Sequence, residues 1–76
     1  MISQNKNGII VNCLWTAVYE YPTIYSNPIY GFQMLDKIEV LPEFSTDPDF
    51  YAVAIPDDRI GYCLKKNIVL REQRAV

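Results

Sequence analysis

The sequence contains no histidine at all and only two cysteines. The first absence removes the commonest general base and the commonest metal ligand. The cysteines, Cys13 and Cys63, stand far apart with no C-x-x-C spacing, so they cannot supply the closely spaced ligand set of a metal centre. A disulfide between them would require facing Cβ atoms on adjacent strands. The favoured reading is two reduced thiols acting as small hydrophobes.

Positive charge is also scarce. Lys plus Arg is 7 against 9 for Asp plus Glu, a formal net charge of −2. A general nucleic-acid binder needs a basic face to release phosphate counterions, whereas Lys65-Lys66 is the only adjacent basic pair here. No nucleic-acid partner is expected. No apolar run approaches the roughly 20 residues of a membrane span, so no membrane partner is expected either. The polar stretch Met1–Gly8, followed by Ile9-Ile10-Val11, is too short and too weakly charged for a secretion signal, which predicts a cytoplasmic location.

A catalytic constellation is missing as well. Without histidine, only Lys or a carboxylate could activate Cys13 or Cys63 as a nucleophile. Asp47-Pro48-Asp49 and Asp57-Asp58 are carboxylate pairs on turns, where neighbouring side chains point apart into solvent. A calcium loop needs further oxygen ligands at alternating positions and a later Glu, which neither pair has. The expectation is a non-enzymatic protein with no catalytic residues, no metal and no cofactor.

What is present is a globular composition: 76 residues, 50% hydrophobic and 13% aromatic. That length allows one domain with one compact core. From Ile9 to Tyr21 every odd position is apolar, and such alternation of β-branched and aromatic residues marks a strand. Pro22 ends it. The following stretch to Gly31 carries Pro22, Asn27-Pro28 and Gly31, which predict an irregular loop or twisted hairpin. Asp36–Leu41 is a clean half-buried strand, with Ile38 and Val40 alternating with Lys37 and Glu39.

Residues 43–49 form an acidic loop. Phe50–Ile55 and Arg59–Leu64 read as strands joined by a tight turn at Pro56-Asp57-Asp58. Lys65-Lys66-Asn67 makes a single helical turn, and Ile68-Val69-Leu70 a last short strand. With about five short strands and no amphipathic helix, so short a chain hides its strand edges by curling the sheet into a small barrel. The expected organisation is a flexible tail over 1–8, the barrel over 9–71 and a charged tail over 72–76.

The order of these features resembles a Src-homology-3-type domain, and more specifically its bacterial relatives. Asp36-Lys37-Ile38-Glu39-Val40-Leu41 resembles the family's second core strand, which follows a diverging turn. Phe50-Tyr51-Ala52-Val53 resembles the aromatic pair opening the third strand. Ile60-Gly61-Tyr62-Cys63-Leu64-Lys65-Lys66-Asn67-Ile68 resembles the closing strand, short helical turn and final strand. Ala17-Val18-Tyr19-Glu20-Tyr21 is similar to the A-L-Y-D-Y signature of the eukaryotic branch. The resemblance spans about Val11 to Leu70 and implies an all-β, five-stranded Src-homology-3-like barrel with one short helical turn near the carboxyl end.

Departures from the pattern bear on the ligand. Leu35 stands where many relatives have Gly, Phe50 replaces the groove Trp, and Leu64 and Asn67 stand at the groove Pro and Tyr. The proline-peptide groove grips a preformed polyproline helix between aromatic slots, and of its residues Tyr19 and Tyr21 carry over intact.

Six Tyr, three Phe and one Trp exceed what so small a barrel buries, and Tyr hydroxyls favour a wet edge. Trp15, Tyr19, Tyr51 and Tyr62 also fit as barrel packing, most simply for Tyr51 and Tyr62, which are in phase with aliphatic neighbours. The candidate ligand-binding residues are Tyr19, Tyr21, Tyr25 and Phe50, a shallow aromatic groove beside the first long loop, with Glu20 close by. Glu20, Glu43, Asp47 and Asp49 would select a basic residue in the ligand. The leading expectation is a module that binds a protein or peptide segment. The alternatives are a small structural or assembly subunit, phage-encoded and self-associating into a homo-oligomer, and a cell-wall-binding module of a larger protein.

Overall fold

The computed structural model describes residues 5–71. Residues 1–4 of the expected leading tail and the whole expected tail over 72–76 lie outside the described residues. Seven strands form a single sheet: β1 (Lys6–Ile10), β2 (Trp15–Tyr19), β3 (Pro28–Gln33), β4 (Lys37–Val40), β5 (Phe50–Ile55), β6 (Arg59–Leu64) and β7 (Ile68–Arg71). Their order across the sheet is β3-β2-β6-β5-β4-β1-β7, and every neighbouring pair is antiparallel. The all-β class is as expected. The five-stranded closed barrel is not, because the sheet has seven strands and ends on two edges, β3 and β7.

Two features of the chain account for the extra strands. The alternation over Ile9–Tyr21 conceals a corner, where Asn12 adopts a left-handed φ of 64° between β1 and β2. Asn tolerates that region better than most residues, and its side-chain amide donates to the Lys66 carbonyl at 2.8 Å, which ties the corner to the far end of the chain. The stretch after Pro22 then returns as β3, the second arm of a hairpin with β2, with a register shift between Val18 and Tyr19.

The later elements match the alternation closely. β4 buries Ile38 and Val40 and exposes Lys37 and Glu39. β5 and β6 pair from Phe50↔Leu64 to Ile55↔Arg59. The tip between them puts Asp57 at φ 73° and Asp58 at φ 59°, a left-handed pair suited to the twist of a hairpin. Lys65–Asn67 is a 3-10 turn, and β7 then lies against β1.

The core contains Ile10, Val18, Phe32, Ile38, Val40, Val53, Ile55, Cys63 and Ile68. Its contributions from β1 and β2 come from even positions, Ile10 and Val18, with buried Thr16 beside them. The odd positions Trp15, Ala17 and Tyr19 therefore occupy the opposite face of β2. Gly61 makes this packing possible: a Cβ there would collide with a Val18 methyl, so β6 can lie beside β2 at this point only without a side chain.

One polar chain enters the interior. The Asn67 amide donates to Thr16 Oγ1 at 3.2 Å, and Thr16 Oγ1 lies 3.7 Å from Cys63 Sγ. Both cysteines are free thiols, Cys63 buried and Cys13 half-buried. Burial pushes the Cys63 thiol pKa up, and the nearby Cys13 adds to that shift while the Thr16 contact opposes it.

Candidate functional site

On the face of β5 and β6 opposite the core, Phe50 lies across from Leu64 and Ala52 from Tyr62. Phe50 is buried yet outside the core cluster. Its cover comes from β2, where Tyr19 meets it edge-on with ring centroids 6.2 Å apart. A T-shaped pair of this kind adds about 0.5–1.5 kcal/mol beyond area burial. The two rings come together because β2 pairs with β6 at Tyr19↔Tyr62, next to the β6–β5 pairing that carries Phe50.

Against Phe50 opens a depression of about 630 Å³. One bank is Pro22, Thr23 and Ile24, the other is Asp47, Pro48 and Asp49, and Leu64, Lys65 and Lys66 close one end. Local hydrogen bonding explains both banks. The Glu20 amide donates to the Asn27 carbonyl at 2.9 Å, closing the base of the first loop. Within it, Ser26 Oγ accepts from the Tyr21 amide at 3.2 Å and lies 3.1 Å from the Tyr21 and Thr23 carbonyls, to one of which it donates.

The second bank is an Asx turn, in which the Asp49 amide donates to Asp47 Oδ1 at 2.8 Å. The Lys65 amide donates to the Asp49 carbonyl at 2.9 Å and so joins this bank to the 3-10 turn. At the top of β5, Ser45 Oγ donates to the Leu41 carbonyl at 2.8 Å and accepts from the Ala52 amide at 3.0 Å. That hydroxyl anchors the start of the acidic loop.

Charge in the depression is mixed. Asp47, Asp49, Lys65 and Lys66 all belong to its lining, and the Lys65 ammonium sits 5.1 Å from the centroid of the Tyr51 ring. Among the described residues the one ion pair lies elsewhere, Arg59 with Asp57 at 3.9 Å, so Asp47, Asp49 and Lys66 form no ion pair there.

The structure distributes the candidate residues unevenly. Phe50 lines the depression and Tyr19 packs on it. Tyr21 and Tyr25 are exposed on the outside of the loop, Tyr25 at 92%, and Glu20 is exposed at its base; none of the three lines the depression. Pro22, Ile24 and Lys66, none of them a ligand-binding candidate from the sequence, also line it, together with Leu64. Trp15, which fits as barrel packing in the sequence, is 58% exposed.

Compared with protein-family models, with curated proteins and with solved structures, the chain matches none.

Proposed function

We propose that the chain is a non-catalytic recognition module of the Src-homology-3 type, which binds an extended protein segment in the depression over Phe50. The architecture supports this through its connectivity. β6-β5-β4-β1-β7 is an unbroken run of five strands, and the β2–β3 hairpin is the pair of arms that carries the first long loop. The reading is supported by the order of the turn between β3 and β4, the aromatic opening of β5 and the 3-10 turn before β7.

The observation that carries the reading is the position of the depression. It lies between the first long loop, the acidic loop and the 3-10 turn, with Phe50 in its lining and, on one bank, carboxylates that form no ion pair among the described residues. An extended chain needs such a trough, with apolar contact along its base and charges at the rim to set register. A display library of random linear peptides supplies the test. The parent protein should select saturable binders, and Ile24→Asp should lose them about tenfold or more while unfolding cooperatively as before. A parent that selects no binder, or binders indifferent to Ile24→Asp, would refute the assignment.

A second reading, self-association, has its own observation. Leu14, Trp15, Met34 and Leu35 are all exposed at the end of the β2–β3 hairpin. They cluster because the Met34 amide donates to the Leu14 carbonyl at 3.0 Å and the Leu35 amide to the Ile10 carbonyl at 2.8 Å. Contiguous apolar surface of this kind marks contact sites. Sedimentation equilibrium at micromolar concentration separates the readings: a dimer dispersed by Leu14→Glu supports self-association, and a strict monomer excludes it.

A further inference from the structure

Leu14 and Trp15 enter β2 where Met34 and Leu35 leave β3, and together they form one corner of the molecule. Leu14 is 81% exposed, Leu35 67%, Trp15 58% and Met34 45%. At roughly 200 Å² for a large apolar residue laid bare, that is on the order of 500 Å² of apolar surface. Holding it there costs strain as well. Leu35 sits at a φ of 73°, an unfavourable region for a bulky L side chain, and that side chain gains little burial within its own fold.

Strand pairing at the adjacent sheet edge does not account for this surface. The Met34 amide donates toward β2, to the Leu14 carbonyl at 3.0 Å. Backbone groups alternate in direction along a strand, so those of Gln33 point the other way, to the free edge of β3. Asp36 takes both of them. The Gln33 amide donates to Asp36 Oδ2 at 2.7 Å, and the Asp36 amide donates to the Gln33 carbonyl at 3.0 Å. The opposite end of this edge is Pro28, which has no amide to offer. With both of its ends closed, β3 is guarded against a further strand. A partner must meet the corner with side chains.

We infer that the partner is a second copy of this chain, docked corner to corner about a two-fold axis, with Leu14, Trp15, Met34 and Leu35 of each copy buried against those of the other. A two-fold interface sets a patch against itself, so a charge near the axis is repelled by its own image. This patch carries none. Between Lys6 and Asp36 the only charged residue is Glu20, at the base of the first loop and the far end of the hairpin, and the Asp36 carboxylate is engaged with the Gln33 amide. The area fits as well: a homodimer takes about 800 Å² from each copy, about 65% of it apolar, or roughly 500 Å². The inference rests on the self-association reading, to which it adds the mode of docking and the stoichiometry. Each copy keeps its depression over Phe50, because Pro22, Thr23 and Ile24 stand at the other end of the β2–β3 hairpin. The assembled unit therefore presents two depressions, the arrangement that avidity requires.

Trp15 is the only tryptophan, so its emission reports this interface. Sedimentation equilibrium and Trp15 emission are followed together on the full chain, from hundreds of micromolar to below one micromolar. The expected result is a monomer–dimer equilibrium with a micromolar midpoint and no larger species, and emission that moves to the blue as the dimer forms. Leu35→Gly relieves the left-handed strain while deleting a contact, so its two effects have opposite signs. It should weaken dimerisation about tenfold or more. The dilute, monomeric variant should nevertheless resist urea at least as well as the parent, which separates loss of the dimer from misfolding. A dimer that either ignores Leu35→Gly or leaves Trp15 emission unchanged would overturn this docking mode and leave self-association standing. Assemblies that keep growing with concentration would overturn the two-fold. A strict monomer throughout the range would overturn both the inference and the reading beneath it.

Discussion

The Trp15 indole lies against Gly31, and the absence of a side chain at Gly31 is what allows it. The two residues are diagonal neighbours across the β2–β3 ladder, in which Trp15 pairs with Gln33 and Ala17 with Gly31. Aromatic cover of a strand glycine shields backbone that would otherwise be bare.

The coupling of the two residues can be measured. Gly31→Ala should destabilise the protein by about 1–3 kcal/mol, the usual cost of overpacking, and should red-shift Trp15 emission as the indole is displaced toward water. In a Trp15→Ala background the same change should be close to neutral or slightly stabilising, since Ala costs less conformational entropy than Gly in a strand. Urea unfolding of the four proteins closes the cycle. Equal costs of Gly31→Ala in both backgrounds would contradict the packing described.

Leu35 offers a stabilising change. It holds a φ of 73° in the turn between β3 and β4, where the Gln33 amide donates to Asp36 Oδ2 at 2.7 Å. A left-handed conformation costs an ordinary L-residue about 1–2 kcal/mol, and Leu35 is 67% exposed, so its side chain recovers little by burial. Leu35→Gly should raise stability by about 0.5–1 kcal/mol after the greater entropy of the unfolded glycine is subtracted. The midpoint of urea unfolding checks this, and a loss of stability would mean that the exposed Leu35 side chain contributes more than its burial indicates.

The two thiols should behave differently. In the folded protein an aromatic disulfide reagent should modify half-buried Cys13 quickly and buried Cys63 only on unfolding, so a Cys13→Ser variant should stay unlabelled under native conditions. Burial raises the Cys63 pKa in the folded state, so its contribution to stability is complete below the ordinary thiol value of about 8.5. As pH rises past that value the unfolded chain releases its proton first, and stability falls until the raised pKa is passed. Denaturation midpoints from pH ~7.5 to ~9.5 should therefore drop, and should drop less in Cys63→Ala.

The elements most legible in the chain were those with one buried and one solvated face. Ile38 and Val40 against Lys37 and Glu39 mark β4 unambiguously, and Pro56-Asp57-Asp58 marks the β5–β6 tip. The corner at Asn12 was illegible because Cys13 continues the apolar phase through it. The candidate site was half legible. Phe50 and Tyr19 meet at the depression, but the density of tyrosines in the first loop did not reveal direction. Hydrogen bonds to Ser26 hold that loop with Pro22 and Ile24 on the groove side and Tyr25 outward.

Alternation and turn chemistry are local properties, and they were enough to establish an all-β chain, the limits of β5 and β6, and the 3-10 turn before β7. Which side of β2 became the interior is not a local property. A period of two distinguishes two faces without ranking them, and both sides of β2 carry apolar residues. The choice was made by close packing: Val18 fits against Gly61, while Trp15 could be accommodated only over the bare backbone of Gly31. Both glycines are distant in sequence from the residues they admit, so the outer aromatic face took shape only when the strands came together.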